Sequence, residues 1–487
     1  PANKPCLYRI MRTPALSFIL LGIHLLACSA DSRTRPERIV CVGRDAGAFL
    51  SRSGADSYPI ELRKMLGNAY QVRTFHIGGA PEGRTSNLDR TTRPVRPAID
   101  PAALKWLPDI VFVEPGSIDS AGGEEGTGTL TGDALVAIVN TFRNLPSKPR
   151  IMLLLPLPAL PGETNADSLL LSGTIPRVRS VAFATGCEVV DLHSLFLGSD
   201  GYAAGQADSS PPPAGMIATR LRDLLMIDAA TQCDIVGRAG IAGTRSNYYG
   251  YECFDFRFSG REARIVRPKR IARGCPWIWR ARFWGHEPQT EIALLERGFH
   301  VAYCDVAELF GNDEAIRIWD RFYEMLTGAG LAKKAVLEGF SRGGVYIYRW
   351  AVHSPSRVAC IYADAPVLDL KSWPGGKGKG GGNPAEWQRF KDDFGLASEE
   401  EALAFRGNPL DMAAEIARGG FPMLHICGLA DVVVPIEENT DPFEKRIVES
   451  GGRITVIRKP GIGHHPHSLP NPQPIVDFIL GATSGSK

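Results

Sequence analysis

The strongest constraint on this chain is a rhythm. Short apolar runs recur along most of its length, bounded by Gly or Pro and separated by helical or loop segments. In the first half they read "RIVCVG", "AYQVRTFHI", "PDIVFVEPG", "PRIMLLLPLP" and "CEVVDLH". Short runs that are apolar throughout are buried on both faces, as parallel strands covered by helices are. A chain of 487 residues exceeds one ordinary core. The Gly-rich stretch "GRAGIAGTRSNYYG" divides it. Beyond it, "CFDFRFSGREARIVRP" alternates about Ser-Gly as a hairpin does, and the strand–helix rhythm then resumes. The expectation is an α/β chain with two doubly wound domains, 36–232 and 245–487, behind a leader at 1–35. At 44% apolar and 22% charged residues the composition is globular, and a net charge of +2 gives no electrostatic case for nucleic acid.

In the second half, "VLEGFSRGGVYIY" sets Gly339-Phe340-Ser341-Arg342-Gly343 between an apolar strand and an amphipathic helix. A serine at so sharp a turn has a strained backbone, and its neighbours must lack bulk. The helix N-terminus and the amide after the serine then favour an oxyanion. The hydroxyl also needs a base, and the base an orienting acid. "MLHICGLADVVVP" offers Asp431 just past one strand, and "ITVIRKPGIGHHPHS" offers His464 just past the next. Asp364 in "IYADAPV" competes for the acid, and His465 and His467 for the base.

These elements, in this order, resemble the α/β-hydrolase superfamily, in its serine esterase and prolyl-oligopeptidase-like branches, over about 245–487. The resemblance implies Ser341 as nucleophile, Asp431 as orienting acid and His464 as base. It also implies an oxyanion hole from the amides of Arg342 and of Phe283, although the HGGG sequence of many lipases is missing from the loop after "WIWRARFWG". That loop, "RFWGHEPQT", is expected beside the site, with Trp284 and His286 as candidate substrate contacts. His465 and Trp373 are further candidates, while Trp277 and Trp279 alternate as core residues do. A lid insertion is expected at about 368–418, where "KSWPGGKGKGGGNPAEW" reads either as a solvated flexible loop or as a binding loop for an acidic polysaccharide. The basic residues between Arg261 and Arg282 carry the same ambiguity.

The first half resembles the SGNH (GDSL-like) hydrolases in strand pattern without their chemistry, a flavodoxin-like domain being the alternative. Arg44 and Asp45 stand where Asp and Ser are expected, Ile118 replaces the oxyanion Asn, and Pro211 falls at the His position. Gly78 and Gly79 keep a backbone turn, whereas Ser51 and His193 lie elsewhere in the pattern. This implies a catalytically silent domain that binds a glycan or braces its neighbour.

"MRTPALSFILLGIHLLACSADS", from Met11, reads as a secretory signal, and "LLAC" resembles a lipobox with Cys28 as the lipidated residue. A lipid at Cys28 is the only membrane contact expected. Of ten cysteines, Cys41, Cys304, Cys360 and Cys427 sit in apolar runs as small buried residues, and Cys253 with Cys275 is the pair expected to bridge. No CxxC spacing points to zinc, and no cofactor or metal is expected. The function expected is a secreted carbohydrate esterase acting on a polysaccharide or oligosaccharide ester. A prolyl-oligopeptidase-like peptidase and a non-catalytic glycan-binding surface protein are the alternatives.

Overall fold

The computed structural model describes residues 35–43, 57–78, 98–116, 131–159, 166–197, 214–230 and 233–484. The signal segment, Cys28, Arg44, Asp45, Ser51, Gly79, Ile118 and Pro211 lie outside the described residues. Among the described residues no helix is long and apolar enough to cross a membrane. Glu37–Lys487 forms one compact unit that holds two sheets.

The first sheet contains β1 (Glu37–Gly43), β2 (Tyr70–Gly78), β3 (Ala98–Ile99), β4 (Ile110–Glu114), β5 (Arg150–Leu154) and β6 (Glu188–Val190). Its order is β3-β2-β1-β4-β5-β6, parallel except for the short β2–β3 pair. Alternate residues of each strand face opposite layers, so two separate cores form. Val40, Val42, Val111 and Val113 pack against the helices Gly132–Arg143 and Ile175–Thr185. Ile39, Cys41, Ile110 and Phe112 pack against Tyr58–Leu66 and Ala214–Leu225.

The second sheet contains β7 (Thr244–Tyr248), β8 (Tyr251–Phe258), β9 (Arg261–Arg267), β10 (Trp277–Arg280), β11 (His300–Cys304), β12 (Ala335–Phe340), β13 (Val358–Asp364), β14 (Met423–Gly428) and β15 (Ile454–Lys459). The order is β15-β14-β13-β12-β10-β11-β9-β8-β7. The expected hairpin is β8–β9, turning at Ser259 and Gly260 with φ of 51° and 79°. Part of the Gly-rich divider forms β7, a second antiparallel strand before it. From β10 to β15 every pairing is parallel. The chain runs from β10 to β11 on one side, then crosses back and proceeds outward from β12 on the other. Sheets of this kind hold their ligands at the carboxyl ends of the strands where the order reverses. Trp277 and Trp279 are fully buried on one face beside Trp319 and Trp350, as their alternation predicts.

The two sheets are joined by buried polar contacts. The Asp191 amide donates to Glu296 Oε1 at 2.7 Å, and Arg220 pairs with the other Glu296 oxygen. Asn471 Nδ2 reaches the Leu195 carbonyl at 2.9 Å. Burial pushes the Glu296 carboxyl up to about 7, against the opposing charge of Arg220.

The disulfide differs from expectation. Cys275 bonds to Cys233, with Cα atoms 6.7 Å apart, and Cys253 is a free buried thiol. The reason is direction. Cys253 lies within β8 and faces the core with Tyr251 and Val266, while Cys233 is on the segment that links the sheets. Residues 371–383 of the insertion hold no helix or strand, in keeping with the loop reading, but the rest of the insertion is largely helical and packed. It holds helices Pro384–Phe394, Glu399–Ala404 and Ala413–Arg418, and Trp387, Phe390, Ala402 and Ile416 join the core. Lys371, Lys377 and Lys379 each face a carboxylate, on Asp369, Glu399 and Glu437.

Candidate active site

Ser341 follows β12 and precedes the helix Gly343–His353. Its φ is 48°, a left-handed conformation that costs a non-glycine residue about 1–3 kcal/mol. The turn is held from outside. The Ser341 amide donates to the Asp364 carbonyl at 2.8 Å, and its carbonyl accepts from Gly344 at 3.0 Å and Val367 at 2.9 Å. Two glycines are required here by contact. A Cβ on Gly339 would stand 2.8 Å from the Gly343 backbone, and one on Gly344 would stand 2.6 Å from Pro366 Cβ. Gly343 itself has room, with Ala281 Cβ at 3.6 Å. The crowded second glycine is therefore one residue beyond the G-x-S-x-G spacing.

Three side chains from three strand ends form a continuous chain. His464 Nε2 lies 2.9 Å from Ser341 Oγ, and His464 Nδ1 lies 2.8 Å from Asp431 Oδ2. The other Asp431 oxygen accepts from the amides of Val433 at 2.8 Å and Val434 at 2.9 Å. Burial pushes the Asp431 carboxyl up, but the His464 hydrogen bond and the two amides outweigh it and hold it below its ordinary value. An ionised Asp431 fixes the proton of neutral His464 on Nδ1, so Nε2 faces Ser341 as an acceptor.

The competing residues form a second pair. His467 Nδ1 bonds Asp364 Oδ1 at 2.8 Å, and Asp364 Oδ2 accepts from the Ser468 amide at 2.7 Å. Asp364 and His467 are both buried. His465 is exposed and makes ring contact with His464 at 5.0 Å. Burial lowers its pKa, followed by the fields of His467, His464 and His286.

Among the described residues the amides of Arg342 and Phe283 donate to no other group, as oxyanion donors must be free to act. The Arg342 side chain points away into the protein. It pairs with Glu386 in the insertion and lies over the rings of Phe310 at 4.9 Å and Trp373 at 5.6 Å. Trp373 thus contacts the residue after the nucleophile. Trp284 lies between Tyr248 at 4.9 Å and Tyr303 at 5.5 Å with the Arg264 guanidinium over it, and none of its ring contacts is with a triad residue. His286 is exposed, 5.7 Å from His465 between ring centres.

One feature under the site was not anticipated. Arg280, at the end of β10, is fully buried between Glu291 and Glu338. It donates to Glu291 at 2.6 Å, to the Arg282 carbonyl at 2.9 Å and to the His286 carbonyl at 2.7 Å. Burial, then the neighbouring Glu291, pushes the Glu338 carboxyl well above its ordinary range. Arg280 therefore shapes the loop that carries Phe283. The sequence signal was a charged residue inside each of two apolar runs, "WIWR" and "VLEGF". Phe283 in the loop after β10, and Leu429, Val432 and Val433 in the loop after β14, are exposed apolar side chains.

A serine on a strained strand-to-helix turn, with its acid and base beyond β14 and β15 of the same mixed α/β sheet, is a geometry equipped for nucleophilic attack with proton relay. No family model matches the chain. It is 26% identical over 181 residues to an acetylxylan esterase of Xylanibacter ruminicola, a match over 33% of this chain and 37% of that protein. Solved structures with some likeness include a putative dipeptidyl aminopeptidase IV from Bacteroides ovatus (13% identity, TM-score 0.37, covering 49% of this chain and 36% of that one). Another is the acylaminoacyl peptidase of Pyrococcus horikoshii (17%, TM-score 0.36, covering 44% and 38%). The chain thus spans well under half the length of each of these three relatives.

Proposed function

We propose that this protein hydrolyses carboxylic esters on a polysaccharide or oligosaccharide, through an acyl-enzyme at Ser341. The observation that carries the reading is the unbroken hydrogen-bonded line Asp431–His464–Ser341. His464 Nε2 takes the Ser341 proton as Oγ attacks the ester carbonyl. The amides of Arg342 and Phe283 hold the oxyanion, and the alcohol leaves with the proton from His464. Water then attacks the acyl-enzyme by the reverse proton path. The sugar-ester substrate is suggested by the match to an acetylxylan esterase. Trp373, His286 and His465 are the residues proposed to meet the substrate, whereas the packing of Trp284 favours a structural role.

The first sheet is proposed to be a silent SGNH-like domain that braces the second. Its His193 is buried and bonded to Asp167 at 2.9 Å, and its Asp191 amide is given to Glu296 across the junction. A secreted protein, lipid-anchored at Cys28, is proposed for the location; the Cys233–Cys275 bridge favours an oxidising compartment.

The test is fluorophosphonate labelling and turnover of acetylated, feruloylated and methyl-esterified glycans, with Ser341→Ala as control. Labelling and ester turnover, both lost in Ser341→Ala, are expected. Turnover of Ala-Pro or Gly-Pro amides in place of esters would make it a peptidase. Absence of labelling in the folded protein would make it a binding protein.

A further inference from the structure

Beside the triad lies a second cluster that takes no part in the Asp431–His464–Ser341 proton relay. His286 comes from the loop after β10, and His465 and His467 from the loop after β15. One ring nitrogen from each lies within 4.8 Å of the others. The ring centres of His465 and His467 are 4.7 Å apart, and that of His286 is 5.9 Å from His467. The rings meet edge-on rather than stacked, and burial of apolar surface does not account for their convergence, because two of the three are exposed.

The third is held as a metal ligand would be. His467 gives Nδ1 to the buried Asp364 carboxylate at 2.8 Å, which leaves Nε2 as the free lone pair. Asp364 is itself fixed by the Ser468 amide and by the Tyr362 hydroxyl at 3.3 Å. A carboxylate behind a histidine, setting its tautomer and raising its basicity, is the usual support of a metal-bound imidazole. Further negative charge stands close: Glu287 Oε1 is 3.9 Å from His286 Nε2. The other Glu287 oxygen is buried, with no hydrogen-bond partner among the described residues.

We propose that His286, His465 and His467 bind a divalent transition-metal ion of the zinc class. Zn–N bonds near 2.0–2.1 Å in a tetrahedral site put the nitrogens about 3.4 Å apart. The contraction this asks for falls on the exposed rings of His286 and His465, while His467 stays on Asp364. Three neutral imidazoles leave a fourth position for water or a substrate oxygen, the arrangement of an open zinc site. The proposal is independent of the ester-hydrolase reading, since its readout is the ion itself.

The experiment uses the full chain, stripped with chelator and dialysed against micromolar Zn2+ or Co2+ near neutral pH. One ion per chain is expected, with a visible Co2+ spectrum that Zn2+ bleaches. In His286→Ala/His465→Ala, whose changed residues are exposed, the bound ion is expected to be lost while the circular dichroism and unfolding midpoint match those of the metal-free wild type. His464→Gln is expected to keep the ion. No uptake by the wild-type protein, undiminished uptake by the double variant, or loss of the ion in His464→Gln would each overturn the assignment.

Discussion

Arg280→Met tests whether a buried charge shapes the oxyanion loop. The guanidinium is fully buried and makes hydrogen bonds to Glu291 and to the carbonyls of Arg282 and His286, with Phe340 beneath it at 4.3 Å. Methionine fills a similar volume and removes all of this. Leaving a buried carboxylate without its cation costs about 3–5 kcal/mol. Removing the nearer carboxylate as well, in Arg280→Met/Glu291→Leu, leaves only Glu338, whose carboxyl burial pushes well above its ordinary range toward the neutral form, and should restore at least about 2 kcal/mol of that loss. The two carbonyls still lack their donors, so the loop that carries Phe283 stays displaced. One misplaced oxyanion donor costs about 10²–10³ in rate. Denaturant midpoints report stability, and fluorophosphonate labelling or nitrophenyl acetate turnover reports the site. Stability should recover in the double variant and reactivity should not. A single-variant cost below about 1 kcal/mol, or recovery of both properties together, would refute the argument.

Other outcomes follow from the same structure. Asp431→Asn keeps an oxygen for the Val433 and Val434 amides but turns an NH2 toward His464; with the proton forced to Nε2, kcat should fall about 10⁴-fold with little change in unfolding midpoint. Cys275→Ser opens a loop spanning 42 residues between bridged positions and should lower stability by about 4 kcal/mol under oxidising conditions, with no added effect under reducing ones. Glu296, raised from 4.5 to about 7, takes up a proton on folding between those values. Its contribution is full below pH 4.5 and is lost as pH rises through 7, so wild-type stability should decline across that window relative to Glu296→Gln.

What the sequence revealed was local. The turn at Ser341 was legible because strand, turn and helix are consecutive, and the alternation of Trp277 and Trp279 named a buried face. What it hid depends on where distant segments meet. Cys275 takes Cys233 because the linker between the sheets passes it, while Cys253 faces a core. The Gly- and Lys-rich stretch reads as a loop and is without helix or strand as far as 383. Yet "NPAEWQRFKDDFG" has an Asn cap, Pro at the first helical position, a Trp387–Phe390–Phe394 stripe and a closing Gly395, all signals of a packed helix. Charges in apolar strands were visible, but their pairing was not: Arg280, Glu291 and Glu338 meet only when β10 and β12 lie side by side.

The histidine run shows the same limit at the site itself. "HHPH" supplies three imidazoles, and two aspartates, at the ends of β13 and β14, wait for partners. Both aspartates bind Nδ1 of a histidine at 2.8 Å, so the two pairs are alike in their inner half. Their difference lies at the other nitrogen. His464 Nε2 meets Ser341 Oγ, a group with a proton to give, and the pair becomes a proton relay. The His467 ring lies beside those of His286 and His465, and among the described residues no hydrogen bond joins its Nε2 to a hydroxyl, so the same inner half leaves a lone pair with no proton donor. One structural unit, used twice on adjacent strand ends, thus points to acid–base chemistry in one case and to metal binding in the other. The residue that decides between them is Ser341, two strands away from β14 in the sheet and far away in sequence.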